Sequence, residues 1–481
     1  MSLTKVHNRM IDGSVANVLD FGADPTGSID SQSAIQAAID SGKPAYLPSG
    51  TYRVDSTLTI GTRGKGLIGA SPIRRDYAAA SKIVYQGAAG SQTPVILMGA
   101  NAVGANPSVD CTSNVLQNLY IDCNDLAGFG VYGTYLTNDT LVDNVTITSS
   151  TEFNAYFARG WYATFTNIAS LACRGKGLAF GMPLILQDGT DLSGSWAAIG
   201  PLELNQCSIN NVRSIQSGRY YSIDNPGTYD PTNSTHRMQG YGIGAGLGNG
   251  FTLTNFLSEL SGGTNLYVYS DAQPRKTIQY GYLENSNYLS GLNAGTQISG
   301  IILENVGIVE GVEIRDIFTN YTNGGGIFHT GTLTKSIWLK NIHQPRFLTS
   351  LDGVSNFDLW QYVLKENVRF DCGFWNTKET LMAPAGYGAV NTRFSFTVNV
   401  NPGGGGKAVY IKYDGTAYYG AFNVNLDDGT SVGGTFPALT TSYQLDNVFS
   451  SKVVSITKSG GTGATDNVVE FKVLSTPFTI E

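Results

Sequence analysis

The sequence predicts an all-β solenoid of short stacked strands, followed by a separate antiparallel β region. Three observations predict it. From about residue 110 onward, short apolar runs recur around an Asn or turn residue at spacings of 20–26 residues, the mark of one supersecondary unit repeated. Glycine is abundant, at 59 of 481 residues, and charged residues are only 14%, a turn-rich and strand-rich profile. After about residue 385 the pattern changes to longer alternating strands joined by glycine turns.

The elements follow in order. Residues 1–16 are short and polar, and read as a tail or attachment peptide. Residues 17–110 form a capping region and the first coils. Within them DSQSAIQAAIDSG (30–42) places Ala34, Ile35, Ala38 and Ile39 at helical spacing, with Asp30 or Ser31 as N-cap and Gly42 as stop. PAYLPSGTYRVDSTLTI (44–60) alternates like strands punctuated by Pro48 and Gly50.

Residues 111–384 carry the repeat. NVLQNLYIDCN (114–124), LVDNVTITSS (141–150), ATFTNIASLA (163–172), LELNQCSINNV (202–212), FTLTNFLSEL (251–260), IQYGYLENSN (278–287), SGIILENVGI (299–308), GVEIRDIF (311–318) and SIWLKNIH (336–343) succeed one another. Asn118 to Asn144 is 26 residues, and Asn144 to Asn167 is 23. One coil cannot bury its own inner face, whereas stacked coils bury a continuous core and leave the outer strand faces for binding. Tight two-residue hairpins, the sign of a sandwich, are lacking in this stretch. Residues 181–201 and 217–250 exceed any coil turn, and long loops on a compact scaffold usually carry function. Residues 385–481 read as a β-sandwich-like domain with GGGG, DDGT and SGGTG turns.

Composition excludes several classes. The net charge of −7 argues against nucleic acid, which needs a basic stripe. With 41% hydrophobic residues the chain can bury a core. No run of 18 apolar residues suggests membrane insertion, and MSLTKVHNRM lacks the apolar region of a secretory signal. Five scattered cysteines, Cys111, Cys123, Cys173, Cys207 and Cys372, read as reduced core thiols.

Four segments add a resemblance. NVLDFGADPTG (17–27), the helix SAIQAAID and the following YLPSGTYRV resemble the opening of the pectate-lyase-like right-handed parallel β-helix superfamily, in the form common in bacteriophage tailspikes. LTKVHNRMIDG resembles the lead-in of phage tail proteins. The match is specific over residues 3–60 and is one of architecture beyond. The resemblance implies a homotrimer made in the cytoplasm of an infected bacterium, carried on the virion tail through a tail or baseplate adaptor protein, and binding a bacterial surface polysaccharide. It does not extend to calcium-dependent lyase chemistry. Setting Asn118 against Asn144 puts Asp122 against Thr148, so no aspartate stack results. The paired aspartates of polygalacturonase-like β-helices are also not evident. No cofactor or metal is expected.

Glycoside hydrolysis needs two carboxyl groups flanking one bond, about 5–5.5 Å apart for retention or 6.5–9.5 Å for inversion. Equivalent positions on adjacent coils lie about 4.8 Å apart. Glu259 (FLSEL), Glu284 (GYLEN) and Glu304 (IILEN) recur at spacings of 25 and 20, which reads as a column. Like charges in a column would make the carboxyls unequal, with Glu284 the acid, Glu259 the base or nucleophile, and Glu304 beside them. The same column can equally be a solvated ladder. Asp188, Asp191 and Trp196 in the first insertion, and Arg219, Tyr220, Tyr221, Asp224 and Tyr229 in the second, are substrate-binding candidates, since aromatic faces stack on sugars. Each loop acid can instead close an Asx-turn. Arg275 would hold an acidic sugar or pair with Asp271; His329 and His343 read as structural. The reading is therefore a polysaccharide-binding, hydrolytic spike, with its site on the outer face near residues 251–310 under the two insertions. A non-enzymatic receptor-binding spike and a polysaccharide lyase are the alternatives.

Overall fold

The computed structural model describes residues 15–304 apart from 62, 72–79, 100–101, 104–110, 194–202, 226–227, 229–232, 270–275 and 285–300. Beyond 304 it describes the backbone of a series of strands ending at Leu474, together with residues 430 and 431. Helix α1 (Gln32–Asp40) buries Ala34, Ile35, Ala38 and Ile39. Asp30 caps it, accepting the Gln32 N–H at 3.0 Å. The Ser31 hydroxyl instead receives the Asp24 N–H at 2.9 Å. Gly42, at φ 82°, adopts the left-handed geometry that ends a helix without a Cβ clash.

The strands form a parallel β-helix. Its largest sheet pairs Val115–Asp122, Leu141–Thr148, Thr164–Leu171, Ser208–Ile215, Phe251–Glu259, Lys276–Glu284, Val312–Asn320 and Ile337–Gln344 in succession, all parallel. A second sheet runs from Leu58–Ile60 to Thr349–Ser350. A third, narrow sheet stacks Cys111–Thr112, Leu136–Thr137, Gly160–Trp161 and Leu204–Asn205. The run 202–212 is thus two elements, Leu204–Asn205 in the third sheet and Ser208–Ile215 in the first.

The recurring asparagines have a backbone cause. Asn118, Asn144, Asn167, Asn211 and Asn255 all take φ between 52° and 59°, the left-handed region that Asn tolerates better than most L-residues. The bulge resets the alternation, so residues three apart, such as Leu116 and Leu119 or Val142 and Val145, both face inward and are buried. Neighbouring coils stay tied on the outside: the Asn144 amide donates to Asn118 Oδ1 at 2.7 Å and Asn211 to Asn167 Oδ1 at 2.6 Å. Cys111, Cys123, Cys173 and Cys207 are buried and form no disulfide with one another; Cys372 lies outside the described residues.

The parallel ladder reaches Arg369–Phe370. From Thr380–Leu381 onward the strands form two four-stranded antiparallel sheets, the change of pairing that the glycine-turned strands after 385 suggest. Among the described residues no helix is long and apolar enough to cross a membrane.

Candidate functional site

Glu259 and Glu284 are paired residues on adjacent coils of the first sheet. Their inward neighbours Ser258 and Leu283 are fully buried, so alternation turns both carboxylates outward, where they are half-buried. Adjacent parallel strands set them about 4.8 Å apart along the helix axis. Below Glu259 the column holds Ile215, and above Glu284 it holds Asn320. The two acids differ in surroundings: the Tyr282 hydroxyl donates to Glu284 Oε2 at 2.7 Å. Tyr280 shares this face, 53% exposed, at the left-handed position occupied by Asn in the coils before it.

Glu304 does not join the column. Its strand, Ile301–Glu304, belongs to the second sheet, where Glu304 pairs with Tyr269, while Glu284 meets Asn320 in the first. Glu304 accepts hydrogen bonds from Arg237 Nε at 3.1 Å and from the Tyr267 hydroxyl. The described residues of the insertions likewise cover the second sheet, where sequence placed the roof over Glu259 and Glu284. Met182, Leu184 and Leu186 from the first, and Met238 and Tyr241 from the second, bury against Tyr132, Tyr156, Tyr267 and Ile302. Helix α2 (Ser234–Gln239) locks the two together, with Gln239 Nε2 donating to the carbonyls of Leu186 at 3.1 Å and Gln187 at 2.6 Å.

The described loop candidates have partners within the chain. Asp188 accepts the Thr190 N–H at 2.9 Å and Asp191 the Ser193 N–H at 2.8 Å, both Asx-turns. Asp224 pairs with Arg174 at 2.6 Å. Tyr221 is buried with its hydroxyl on Gln239 at 2.5 Å, and Tyr220 packs edge-on against it. Arg219 reaches the Ala172 carbonyl at 3.4 Å and Asp125 at 3.9 Å. Trp196, Tyr229, Arg275 and Asp271 lie outside the described residues. The expected stack-free column holds, with Asp122 set against Thr148, and Asp122 is paired with Lys82 at 3.1 Å.

Sequence reading missed three buried charges. Lys176 and Glu152 meet at 3.4 Å beneath the roof, and Glu152 also accepts the Gln187 N–H at 2.6 Å. Burial pushes the Glu152 carboxyl up against the opposing pull of Lys176, and burial pushes the Lys176 amine down. The strand-opening Lys276 is also fully buried, and burial pushes its amine down to about 7. Each sits at the first residue of a strand or just before one, where charged residues commonly face solvent, so no pattern in the sequence marks them as buried.

The chain is similar to several known proteins. Residues 15–167 match the family model described as rhamnogalacturonase A/epimerase, pectate lyase-like. Over that span the resemblance first visible at residues 17–54 is established. A comparison with curated proteins finds no match. Solved structures with a similar backbone include ORF18 of Geobacillus virus E2 (14% identity, TM-score 0.45, covering 91% of this chain and 78% of that one). The enzymatically active domain of bacteriophage CBA120 tailspike protein 2 is similar at 12% identity and TM-score 0.44, over 96% and 82% of the two chains. The catalytic unit of an α-1,3-glucanase from Streptomyces thermodiastaticus is similar at 15% identity and TM-score 0.39, over 71% of this chain and 63% of that one.

Proposed function

We propose that this protein is a phage tailspike that binds and hydrolyses a bacterial surface polysaccharide, with Glu259 and Glu284 as its two carboxyl groups. The observation that carries the reading is their register: two acids, outward and half-buried, on adjacent strands. A strand spacing of about 4.8 Å approaches the separation of about 5–5.5 Å used by retaining enzymes. In this reading Glu284 protonates the leaving glycosidic oxygen while Glu259 attacks the anomeric carbon. Water, deprotonated by Glu284, then releases the sugar and restores both acids. The Tyr282 hydroxyl, which donates to Glu284, orients the acid. The tailspike assignment and its homotrimeric state rest on the opening motif, the solenoid and the antiparallel C-terminal strands. A solenoid needs its exposed edges covered, and three copies around one axis would do that.

The test is incubation of the full chain with purified capsular polysaccharides and O-antigens, followed by sizing and reducing-end assay. Shortened chains with new reducing ends and no rise in ultraviolet absorbance support hydrolysis. Products that absorb as unsaturated sugars would make it a lyase. Retained binding without chain shortening would make it a receptor-binding spike. Light scattering that returns a single chain mass at micromolar concentration would overturn the trimer.

A further inference from the structure

The third sheet breaks its own ladder. Its outward row begins with Thr112 and Thr137, whose hydroxyls are hydrogen-bonded at 2.6 Å, and continues with Trp161 and Asn205. Like residues in successive coils stabilise such a row, and an indole between Thr and Asn interrupts it. Trp161 is half-buried, and the next residue, Tyr162, is 61% exposed in a left-handed conformation with φ 58°. That conformation is unfavourable for an aromatic residue, and the largely exposed side chain gains little burial in exchange.

A polar group completes the patch. The residues preceding the aligned positions Leu136, Gly160 and Leu204 are Tyr135, Arg159 and Glu203. The Arg159 guanidinium lies 5.0 Å from the Trp161 ring centroid and 5.3 Å from that of Tyr135. The two rings meet edge to face at 5.4 Å. Stacking of this kind fixes the fork of donors in one plane. One coil on, Glu203 accepts the Asn205 side-chain amide at 2.7 Å. Aromatic faces, a planar donor fork, a carboxylate and an amide therefore share three successive coils, a span of about 10 Å, the scale of one or two sugar rings.

We infer that this face is a second, non-catalytic saccharide-binding site, taking a neutral segment of a glycan chain. The rings offer apolar surface to the C–H face of a pyranose, and Arg159 and Glu203 offer donors and acceptors to its hydroxyls, while Asn205, which donates to Glu203 and accepts the Asn249 N–H at 2.7 Å, holds the carboxylate in place. Charge selects the ligand class: among the described residues the patch sets one cation, Arg159, beside one carboxylate, Glu203, which suits a neutral sugar and disfavours a phosphate or sulfate. The site is on a different sheet from Glu259 and Glu284. It rests on the glycan-binding reading but not on hydrolysis. A second site would hold the polymer while the carboxylate pair acts on another segment of it.

The test uses the full chain, with saturation-transfer NMR and tryptophan-fluorescence titration. The probes are glucose, galactose, mannose, rhamnose, N-acetylglucosamine and their short oligomers. At least one of these saturates the protein. Tyr162→Ala weakens that binding by about tenfold or more, the loss expected of a central aromatic contact, while Glu284→Gln leaves it intact. Trp161→Ala does the same as Tyr162→Ala where circular dichroism shows it folded. The exposed position of Tyr162 keeps the test decisive if the Trp161 variant misfolds. Absence of any Tyr162-sensitive saturation overturns the site. A smaller assembly for Tyr162→Ala on light scattering also overturns it, since a second copy of the chain would then cover this face. Failure of the polysaccharide digestion assay with intact Tyr162-sensitive binding would remove the hydrolase reading and leave this site standing.

Discussion

Arg237, on the short helix of the second insertion, donates through Nε to Glu304 at 3.1 Å, joining positions 67 residues apart. Both side chains are largely buried, at 6% and 13% exposure, and the Tyr267 hydroxyl donates to the same Glu304 oxygen. The pair pins the roof to the second sheet beside its apolar contacts. Arg237→Met strands a buried carboxylate and is expected to cost about 3–5 kcal/mol, the usual penalty for breaking one partner of a buried pair. Adding Glu304→Met to that variant should restore much of the loss, because the desolvated charge is then gone. Urea unfolding measures the first effect, and hydrogen exchange across residues 233–241 shows whether the roof opens before the coils do. A double variant as unstable as the single one would refute the role of the ion pair.

Glu284→Gln should keep the fold and glycan binding while lowering turnover by roughly a hundredfold or more, the scale of general acid catalysis. Glu259→Gln should do the same by removing the nucleophile. Steady-state rates on the digested polysaccharide, with melting curves as a control on folding, check both. Undiminished turnover in the Glu284 variant would rule out this pair.

The coil was legible in the sequence because its physical cause is local. A left-handed residue recurs once per coil from Asn118 to Tyr280, an Asn in all of these coils but the last, and the spacing of Asn118, Asn144 and Asn167 reports it. The two acids of the first sheet were legible for the same reason, since FLSEL and GYLEN follow that bulge in register. IILEN has the same alternation but joins the second sheet. Alternation tells inside from outside and is silent on which sheet a strand enters. The next first-sheet strand begins at Val312, so Glu304 precedes it in the same coil. The roof was misread for a different reason. Met238, Tyr241, Met182 and Leu184 sit in loops by sequence, yet they cover apolar residues on the outer face of the second sheet, and composition does not distinguish a loop that binds ligand from one that caps a sheet.

The asparagine bulge makes a second prediction about stability. Asn144, at φ 56°, also donates to Asn118 Oδ1 at 2.7 Å. Asn144→Gly loses the side-chain bond but adopts the backbone freely. Asn144→Ala loses the bond and adds left-handed strain of about 1–2 kcal/mol. The alanine variant should therefore be the less stable of the two in urea titration, the reverse of the ordinary order of these residues in a strand. Equal stabilities would show that the bulge relaxes into an extended strand at no expense.

Lys276 gives the pH dependence a sign. Its amine is fully buried, donates to the Tyr269 carbonyl at 3.3 Å, and burial pushes it down to about 7 from the ordinary 10.5. Below pH 7 both folded and unfolded chains hold the proton, and the folded state bears the whole cost of enclosing a charge. Between about 7 and 10.5 the unfolded chain keeps the proton while the folded chain has released it, so the unfolded state binds more protons and stability from this group rises with pH. Above that window the contribution is constant. Lys276→Met removes the titration and keeps the chain length in the core. Its gain over the unmodified protein should be greatest at pH 6.5 and shrink steadily toward pH 9.5. Paired thermal melts at pH 6.5, 8 and 9.5 measure the difference and cancel the other titrating groups. A gap that stays constant across the three values, or widens with pH, would mean that Lys276 keeps its proton in the folded chain.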